Sequence, residues 1–331
     1  MGGHRKPSTL GWHVVHNDCV YMEPWGGTPP LISVGVPAYN AEAFIVPALE
    51  SLLGQRFRDI EVVVSDNCST DGTERLCREL AARDPRLRYV RQPINRGGAA
   101  NFNAVFALRH PGSRYFKWAA ADDVYDPGYL TAVVDLLQSD PGIAVAHTLT
   151  HDIDEAGGFL RAWGDQGLPA DHPDVAERFA SLSQRNYQCF SIFGLMEAEL
   201  LAGTRGLGYY AESDRVLLAE LSLRGRLVDV PEALFFRRQH AGRSVRTHPS
   251  ARERVAWFNP ALVGRPVFPE WRLGQGYVGA VLAAPLPPGQ RARCLARMGR
   301  WTVVKGPHLA RNVARTVADV VSGRVALVAS R

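Results

Sequence analysis

Two adjacent aspartates, Asp122 and Asp123, interrupt the stretch YFKWAAADDVYDP (residues 115–127). Neighbouring carboxylates repel each other. A solvated turn tolerates that, but a strand end facing a cleft calls for a cation. Other groups fit for chemistry recur along the chain. Asp66 and Asn67 end DIEVVVSDN (59–67), and Asp71 follows shortly after. Arg96 lies in NRGG (95–98). Glu212 and Asp214 stand at the start of DRVLLAELSLRG, and His240 and Arg243 lie in RRQHAGRS (237–244). Carboxylates of this kind can hold a hard cation, accept an N–H, or take a proton from a hydroxyl. Arginine and histidine suit phosphate oxygens.

The elements that must position these groups alternate. LISVGVP (31–37) is a buried-strand run, and AFIVPALESLL (43–53) sets Ile45, Leu49, Leu52 and Leu53 on one helical face. A second strand spans 59–67. DGTERLCREL (71–80) opens with Asp71 as N-cap and Glu74 three residues later, a capping-box spacing. LRYVRQ (87–92) is a third strand, AANFNAVFALR (99–109) a helix, and YFKWAAA (115–121) a fourth strand. Helices between consecutive strands imply crossovers and a mostly parallel sheet, whose ligands bind beyond the carboxyl ends of the strands. Those ends supply Pro37, Tyr39 and Asn40, then Asp66 and Asn67, then NRGG, then Asp122 and Asp123. NRGGAAN lacks the G-x-G-x-x-G spacing of a phosphate loop and reads as a tight turn into a helix. Further on, residues 214–225 form an amphipathic helix with Val216, Leu217, Leu221 and Leu223 as its stripe. Asp214 stands at its start, where the helix dipole favours a charged carboxylate.

At 331 residues, 46% hydrophobic and 21% charged, the chain is ordinary for a globular protein. A net charge of +5 is too mild to indicate nucleic acid. Lys6, Lys117 and Lys305 are the only lysines among 38 basic residues, a bias common in GC-rich bacterial genomes. The cysteines, Cys19, Cys68, Cys77, Cys189 and Cys294, are odd in number and lack metal-type spacing, which fits reduced thiols in the cytoplasm. The N-terminus has no signal-peptide core, and no apolar run is long enough to span a bilayer.

ISVGVPAYNAEAFIVPALESLLGQ, VVVSDNCSTDGT, NRGGAANFN and FKWAAADD, in that order, resemble the donor-binding half of family-two glycosyltransferases. The likeness runs from about residue 31 to 246. It implies a Rossmann-like glycosyltransferase A fold, α/β with a mostly parallel central sheet, followed by a helical C-terminal extension. The domain reading is an extension over 1–30, a catalytic domain over 31–246 (donor half 31–125, acceptor half 126–246) and a basic, mainly helical region over 247–331.

The resemblance also implies roles. Pro37, Tyr39 and Asn40 lie along the nucleobase, and Asp66 contacts it. Arg96 and Arg243 serve the donor, Arg243 as a phosphate partner. Asp122 meets the ribose, and Asp123 with His240 holds a divalent cation, Mn²⁺ or Mg²⁺. Asp214, with Glu212 as second choice, is the general base of an inverting transfer from a nucleoside-diphosphate sugar, UDP or dTDP favoured. The family's Asp-any-Asp pattern is broken here, since Ala120 or Ala121 replaces the leading acid, and that weakens the expectation of tight metal binding. Two other readings follow from the same residues: a catalytically silent nucleotide-sugar-binding module, and a nucleotidyltransferase, which the lack of Arg or Lys in PAYNAEAF disfavours.

The acceptor is a small molecule, a lipid-linked sugar or a glycan. The segment GGFLRAWGDQGLPADHPD (157–174) reads as loop, with Trp163 as a stacking platform, and VAERFASLSQ (175–184) as helix. From Arg291 onward the basic amphipathic pattern suits an anionic membrane surface at the inner membrane face, packing on the catalytic domain, or a homodimer contact.

Overall fold

The computed structural model describes residues 28–243, 247, 251–263 and 265–322. The expected N-terminal extension lies outside these up to residue 27, as does Cys19.

The first half alternates as the sequence predicts: β1 (Ile32–Ala38), α1 (Ile45–Leu53), β2 (Ile60–Asp66), α2 (Thr73–Ala81), β3 (Leu87–Arg91), α3 (Gly98–Ala107) and β4 (Tyr115–Trp118). β2 is buried throughout and β1 at every residue but Pro37, as in strands covered on both faces. They pair in parallel, Ile32 opposite Ile60 and Ala38 opposite Asp66. β4 flanks β1 in parallel and β3 flanks β2 likewise. A shared direction brings all four carboxyl ends to one edge. Gly35 is needed for this packing, because a Cβ there would stand 2.7 Å from the Phe116 ring.

β4 is shorter than its apolar run. The ladder ends at Trp118, and Ala119 adds one hydrogen bond to the Gly35 carbonyl at 2.9 Å. The remaining alanines carry the chain across the edge to Asp122, Asp123 and the short β5 (Val124–Tyr125). The second half comprises α4 (Tyr129–Ser139), β6 (Ile143–Ile153), β7 (Phe159–Trp163), α5 (Val175–Gln184), β8 (Leu195–Glu197), α6 (Ala198–Ala202), α7 (Ser213–Ser222) and β9 (Arg226–Arg238). The sheet order is β3-β2-β1-β4-β8-β6-β9-β5, with β7 hydrogen-bonded to β6. β8 is antiparallel to β4 and β6, whereas β6 and β9 are parallel. β9 returns beside β5 and so presents Arg237 and Arg238 to the aspartate loop.

Two local expectations are corrected. Residues 159–163, read as loop, form the edge strand β7; its side chains are nearly all exposed, so no alternation betrays it. The capping box at α2 does not form. The helix starts at Thr73, with Gly72 in the cap position, and Asp71 accepts from the Thr73 N–H at 3.1 Å from one residue further out. Glu74 pairs instead with Arg91 at 3.0 Å and Arg78 at 2.9 Å. By contrast α5 begins as its pattern dictates, with Asp174 accepting from the Ala176 and Glu177 N–H groups.

Alternate residues of the strands feed two cores. Val62, Val64 and Tyr115 pack with α1, α2 and α4 on one face. Val63, Phe116 and Trp118 pack on the other with α3, α5 and α7. That second core also takes in Tyr277 from α9 (Pro269–Ala283) and Cys294, Met298, Trp301 and Leu309 from α10 (Pro288–Val321). The C-terminal helices are thus packed on the sheet domain. α8 (Ala251–Phe258) reaches back to the third loop: a Cβ on Gly97 would meet the Pro260 ring at 2.6 Å, and the φ of +87° at Gly97 suits glycine alone.

Candidate active site

Asp66 ends β2 with no exposed surface. One carboxylate oxygen accepts from the Ser69 N–H at 2.9 Å and the Ser69 hydroxyl at 2.5 Å. The other accepts from the Tyr89 hydroxyl at 2.5 Å and Arg91 at 3.1 Å. These four donors fill the roughly four acceptor positions of a carboxylate. The network runs on. The Ser69 hydroxyl accepts the Asn40 N–H at 2.9 Å, and the Asn40 side chain accepts the Thr70 N–H at 2.8 Å. Asn40 adopts φ +48°, a left-handed conformation that asparagine tolerates. The loops after β1 and β2 are therefore one unit, over which Tyr39 stands half exposed. Asn101 of α3, buried, ties the same strand ends together through the Ala38 and Ser65 carbonyls. Arg96 is exposed at the third loop, its backbone N–H held by Asn67 at 3.0 Å.

Asp66→Ala would strand three buried donors, the Ser69 N–H and hydroxyl and the Tyr89 hydroxyl, and take from Arg91 one of its two carboxylates. We expect a cost of about 3–5 kcal/mol, as for leaving several buried donors without an acceptor, and a melting temperature lower by roughly 10 °C. A shift under about 2 °C in thermal unfolding would mean that the carboxylate is not the anchor of this loop.

At the fourth strand end Asp123 is 1% exposed, and one carboxylate oxygen accepts the Arg238 N–H at 2.8 Å. Burial and the neighbouring Asp122 push its carboxyl up to about 8, against the pull of Arg243, the Arg238 N–H and Arg237. Asp122 is more open, and its carboxylate meets His240 Nε2 at 2.9 Å. The His240 ring lies 4.6 Å from Phe44. Arg238, 5% exposed, clamps the loop: its guanidinium donates to the carbonyls of Asp122, Asp154 and Glu155. Arg243 donates to the Arg238 carbonyl. Next to it, Arg237 holds Asp152 through two bonds of 2.8 and 3.0 Å.

The aspartate loop fits a divalent cation. Asp123 is a buried carboxylate with one hydrogen bond, from the Arg238 N–H, and Asp122 and His240 present two metal-ligating atoms to one another. No group of three or more His, Cys, Asp or Glu side chains converges on a metal position among the described residues. The protein would supply one or two ligands, and diphosphate oxygens and water the remainder, a normal Mg²⁺ arrangement.

Asp214 lies in the first turn of α7, whose preceding residue Glu212 adopts a left-handed φ of +66°. The Asp214 carboxyl is raised by burial, opposed by the Arg215 N–H, the Arg215 charge and a hydrogen bond from Cys189. Cys189 precedes the short turn Phe190–Phe193, which packs on β4 and β6. Asp214 thus lies against the 187–189 segment, whose Tyr187 carbonyl also accepts from the Arg215 guanidinium at 3.2 Å. Glu212 and Arg215 line a cleft of about 370 Å³ with Arg185, Glu270, Tyr277, Trp301 and Lys305. Among the described residues no hydrogen bond or ion pair joins Asp214 to the 122–123 loop. Trp163 packs against Phe190 at 5.4 Å with Arg161 over its ring.

Sequence reasoning singled out the acids but missed Tyr89, Ser69, Asn101 and Arg238. Arg238 had a signal, since it sits in the basic run beside His240. The other three look like ordinary strand, turn and helix residues until the loops are assembled.

The comparisons agree with this architecture. Residues 33–189 match the model of glycosyl transferase family 2. Escherichia coli chondroitin synthase is 34% identical over 131 residues, covering 40% of this chain and 19% of that protein. An uncharacterized glycosyltransferase of Haemophilus influenzae is 27% identical over 222 residues, covering 65% of this chain and 67% of that one. The chain thus spans less than a fifth of the chondroitin synthase. Among solved structures, Staphylococcus aureus TarS in complex with UDP-GlcNAc superposes with a TM-score of 0.58 at 17% identity, over 86% of this chain and 80% of that one. The mannosyltransferase PcManGT from Pyrobaculum calidifontis, in complex with GDP-Man and Mn²⁺, gives 0.50 at 20% identity over 90% of each chain. Over residues 33–189 the chain is thus similar to glycosyl transferase family 2, on a fold it shares with these solved glycosyltransferases.

Proposed function

We propose that the protein is an inverting glycosyltransferase that moves a sugar from a nucleoside diphosphate, UDP or dTDP favoured, to an acceptor hydroxyl. The observation that carries this reading is the pairing of two unlike acidic sites on one fold. A buried aspartate loop lies at the strand ends, and two carboxyls raised by burial, Glu212 and Asp214, head α7. Relatives of this fold are solved with UDP-GlcNAc and with GDP-Man and Mn²⁺, which supports a nucleotide-sugar donor here.

In this reading Tyr39, Asn40 and Pro37 form the floor for the base. Because Asp66 is fully occupied, it acts on the base by fixing Ser69 and Arg91, or directly once one of those donors gives way. Asp122 meets the ribose. Asp123 and His240 are the protein ligands of a divalent cation, His240 turning to it from Asp122, and Arg96 and Arg243 lie toward the phosphates. Such a cation stabilises negative charge on the departing diphosphate. Asp214 takes the proton of the acceptor hydroxyl as the new bond forms at the anomeric carbon. One base opposite the leaving group gives a single displacement and inverted configuration.

The test is thermal unfolding with UDP, dTDP, GDP, ADP and CDP, each with Mn²⁺, Mg²⁺ or EDTA. At about 100 times its Kd a ligand adds about 2.7 kcal/mol. Stabilisation by UDP or dTDP with metal, together with sugar transfer from the matching donor, is the expected result. Stabilisation without transfer would favour a silent binding module, and no stabilisation by any nucleotide would sink the donor site.

A further inference from the structure

The long helix α10 has two faces that differ in kind. Cys294, Met298, Trp301, Leu309 and Thr316 turn inward and are buried. On the opposite side, Val303 is 79% exposed, Val317 54% and Val321 82%, with alanines between them at helical spacing. A helix that merely rests on a domain carries polar residues there. Beside this stripe Val313 joins Phe268, Trp271, Gln275 and Arg272 around an open groove of about 460 Å³, and Trp271 is 44% exposed.

The charges around the stripe have one sign. Arg300, Arg311 and Arg315 fall along one flank by the 100° helical step, and Arg272 stands at the groove on the other. None of the four is paired with a carboxylate among the described residues; Arg311 bonds the Pro307 carbonyl and His308. Arg293 and Arg297, by contrast, are spent on Asp174 and Glu177 toward the domain. From Phe268 to Val321 the acids are only Glu270, which lines the cleft toward the core, and Asp319.

We propose that α9 and α10 dock this protein on an anionic lipid bilayer, with Trp271, Phe268 and the α10 valines at the acyl boundary and the four arginines among the headgroups. Charge complementarity selects this occupant. Half-exposed tryptophan, small apolar residues and flanking arginines that outnumber the acids match the interfacial layer, where aromatic rings and cationic heads are both accommodated. A second copy of the chain would set the same arginine row against itself around a twofold axis. No helix among the described residues is long and apolar enough to cross a membrane, so the contact is peripheral.

The test uses the full chain in co-sedimentation with vesicles of phosphatidylcholine, alone or with about 30% phosphatidylglycerol. Expected is binding to the anionic vesicles only, weakened by salt as charges are screened. Each surface arginine contributes about a fivefold gain in partitioning, so Arg300→Gln, Arg311→Gln and Arg315→Gln together should cost about 100-fold. Val303→Asp with Val317→Asp should lower binding at low salt as well. Nucleotide-dependent thermal stabilisation of every variant, measured without vesicles, reports on fold and donor site separately. No binding to anionic vesicles, or equal binding by the arginine variant, overturns the proposal. So does a dimer in solution that the valine variant dissociates, since the face then belongs to a second copy.

Discussion

Asp214→Asn is expected to cut sugar transfer sharply and to leave nucleotide binding intact. The loss expected for removing a positioned general base is about 10²–10⁴-fold in kcat. Asparagine keeps the shape and can still accept from Cys189 and the Arg215 N–H, so α7 should not move. The donor loops lie at the strand ends, and among the described residues no hydrogen bond or ion pair ties them to Asp214, so the Kd for UDP should stay within about twofold. Glu212→Gln is the internal control, because Glu212 lines the cleft it shares with Glu270 and Lys305 and heads the same helix. If Glu212→Gln is the inactive variant, the base has been misassigned. The pH profile gives a second readout. Burial raises the Asp214 carboxyl above the ordinary 3.8. A base works only when deprotonated, so kcat should fall with decreasing pH on a limb above that value. A limb at or below it would argue against Asp214.

Asp123→Ala is expected to remove the metal-dependent part of nucleotide binding. With Mn²⁺ the affinity for the nucleoside diphosphate should fall at least about tenfold, toward the value in EDTA, since a bridging cation contributes several kcal/mol. In EDTA the variant and the parent should bind alike, and an equal loss in both would end the metal role of Asp123. The empty protein offers a further signature. The folded-state carboxyl is raised from 3.8 to about 8, so folding takes up a proton across that interval. Stability without metal therefore falls as the pH rises from about 4 to about 8, and the slope should flatten in Asp123→Asn. Asp122→Ala is the matching variant: it frees His240, and loss of metal dependence there alone would move the cation to Asp122.

The acids, their order and the strand ends that carry them are local features. Ile32–Ala38 and Ile60–Asp66 are apolar runs too short for helices and flanked by helical periodicity, so a parallel sheet and its functional edge follow from pattern alone. The 175–184 helix and its Asp174 cap are equally local. Where local signals competed, packing chose. Asp71 moved out of the cap because Thr73 and the Glu42 backbone compete for its oxygens. Glu74 turned to Arg91, a strand residue that no helix-spacing rule brings near. β7 pairs along β6 with little buried side-chain pattern of its own.

The sequence by itself determined which residues are chemical, that they fall at the ends of consecutive strands, and that a basic amphipathic tail follows. Periodicity and residue type carry that information because they act within one element. The tertiary structure alone decided how each acid is used. Asp66 has all its acceptor positions filled, Asp122 rather than Asp123 meets His240, Asp214 meets Cys189 while Glu212 lines a cleft, and one face of α10 is buried while the other is bare. Each of these depends on groups distant in sequence that meet only when β9, α3 and the C-terminal helices close on the sheet. Desolvation and hydrogen-bond occupancy, which set those roles, exist only once that closure has excluded water.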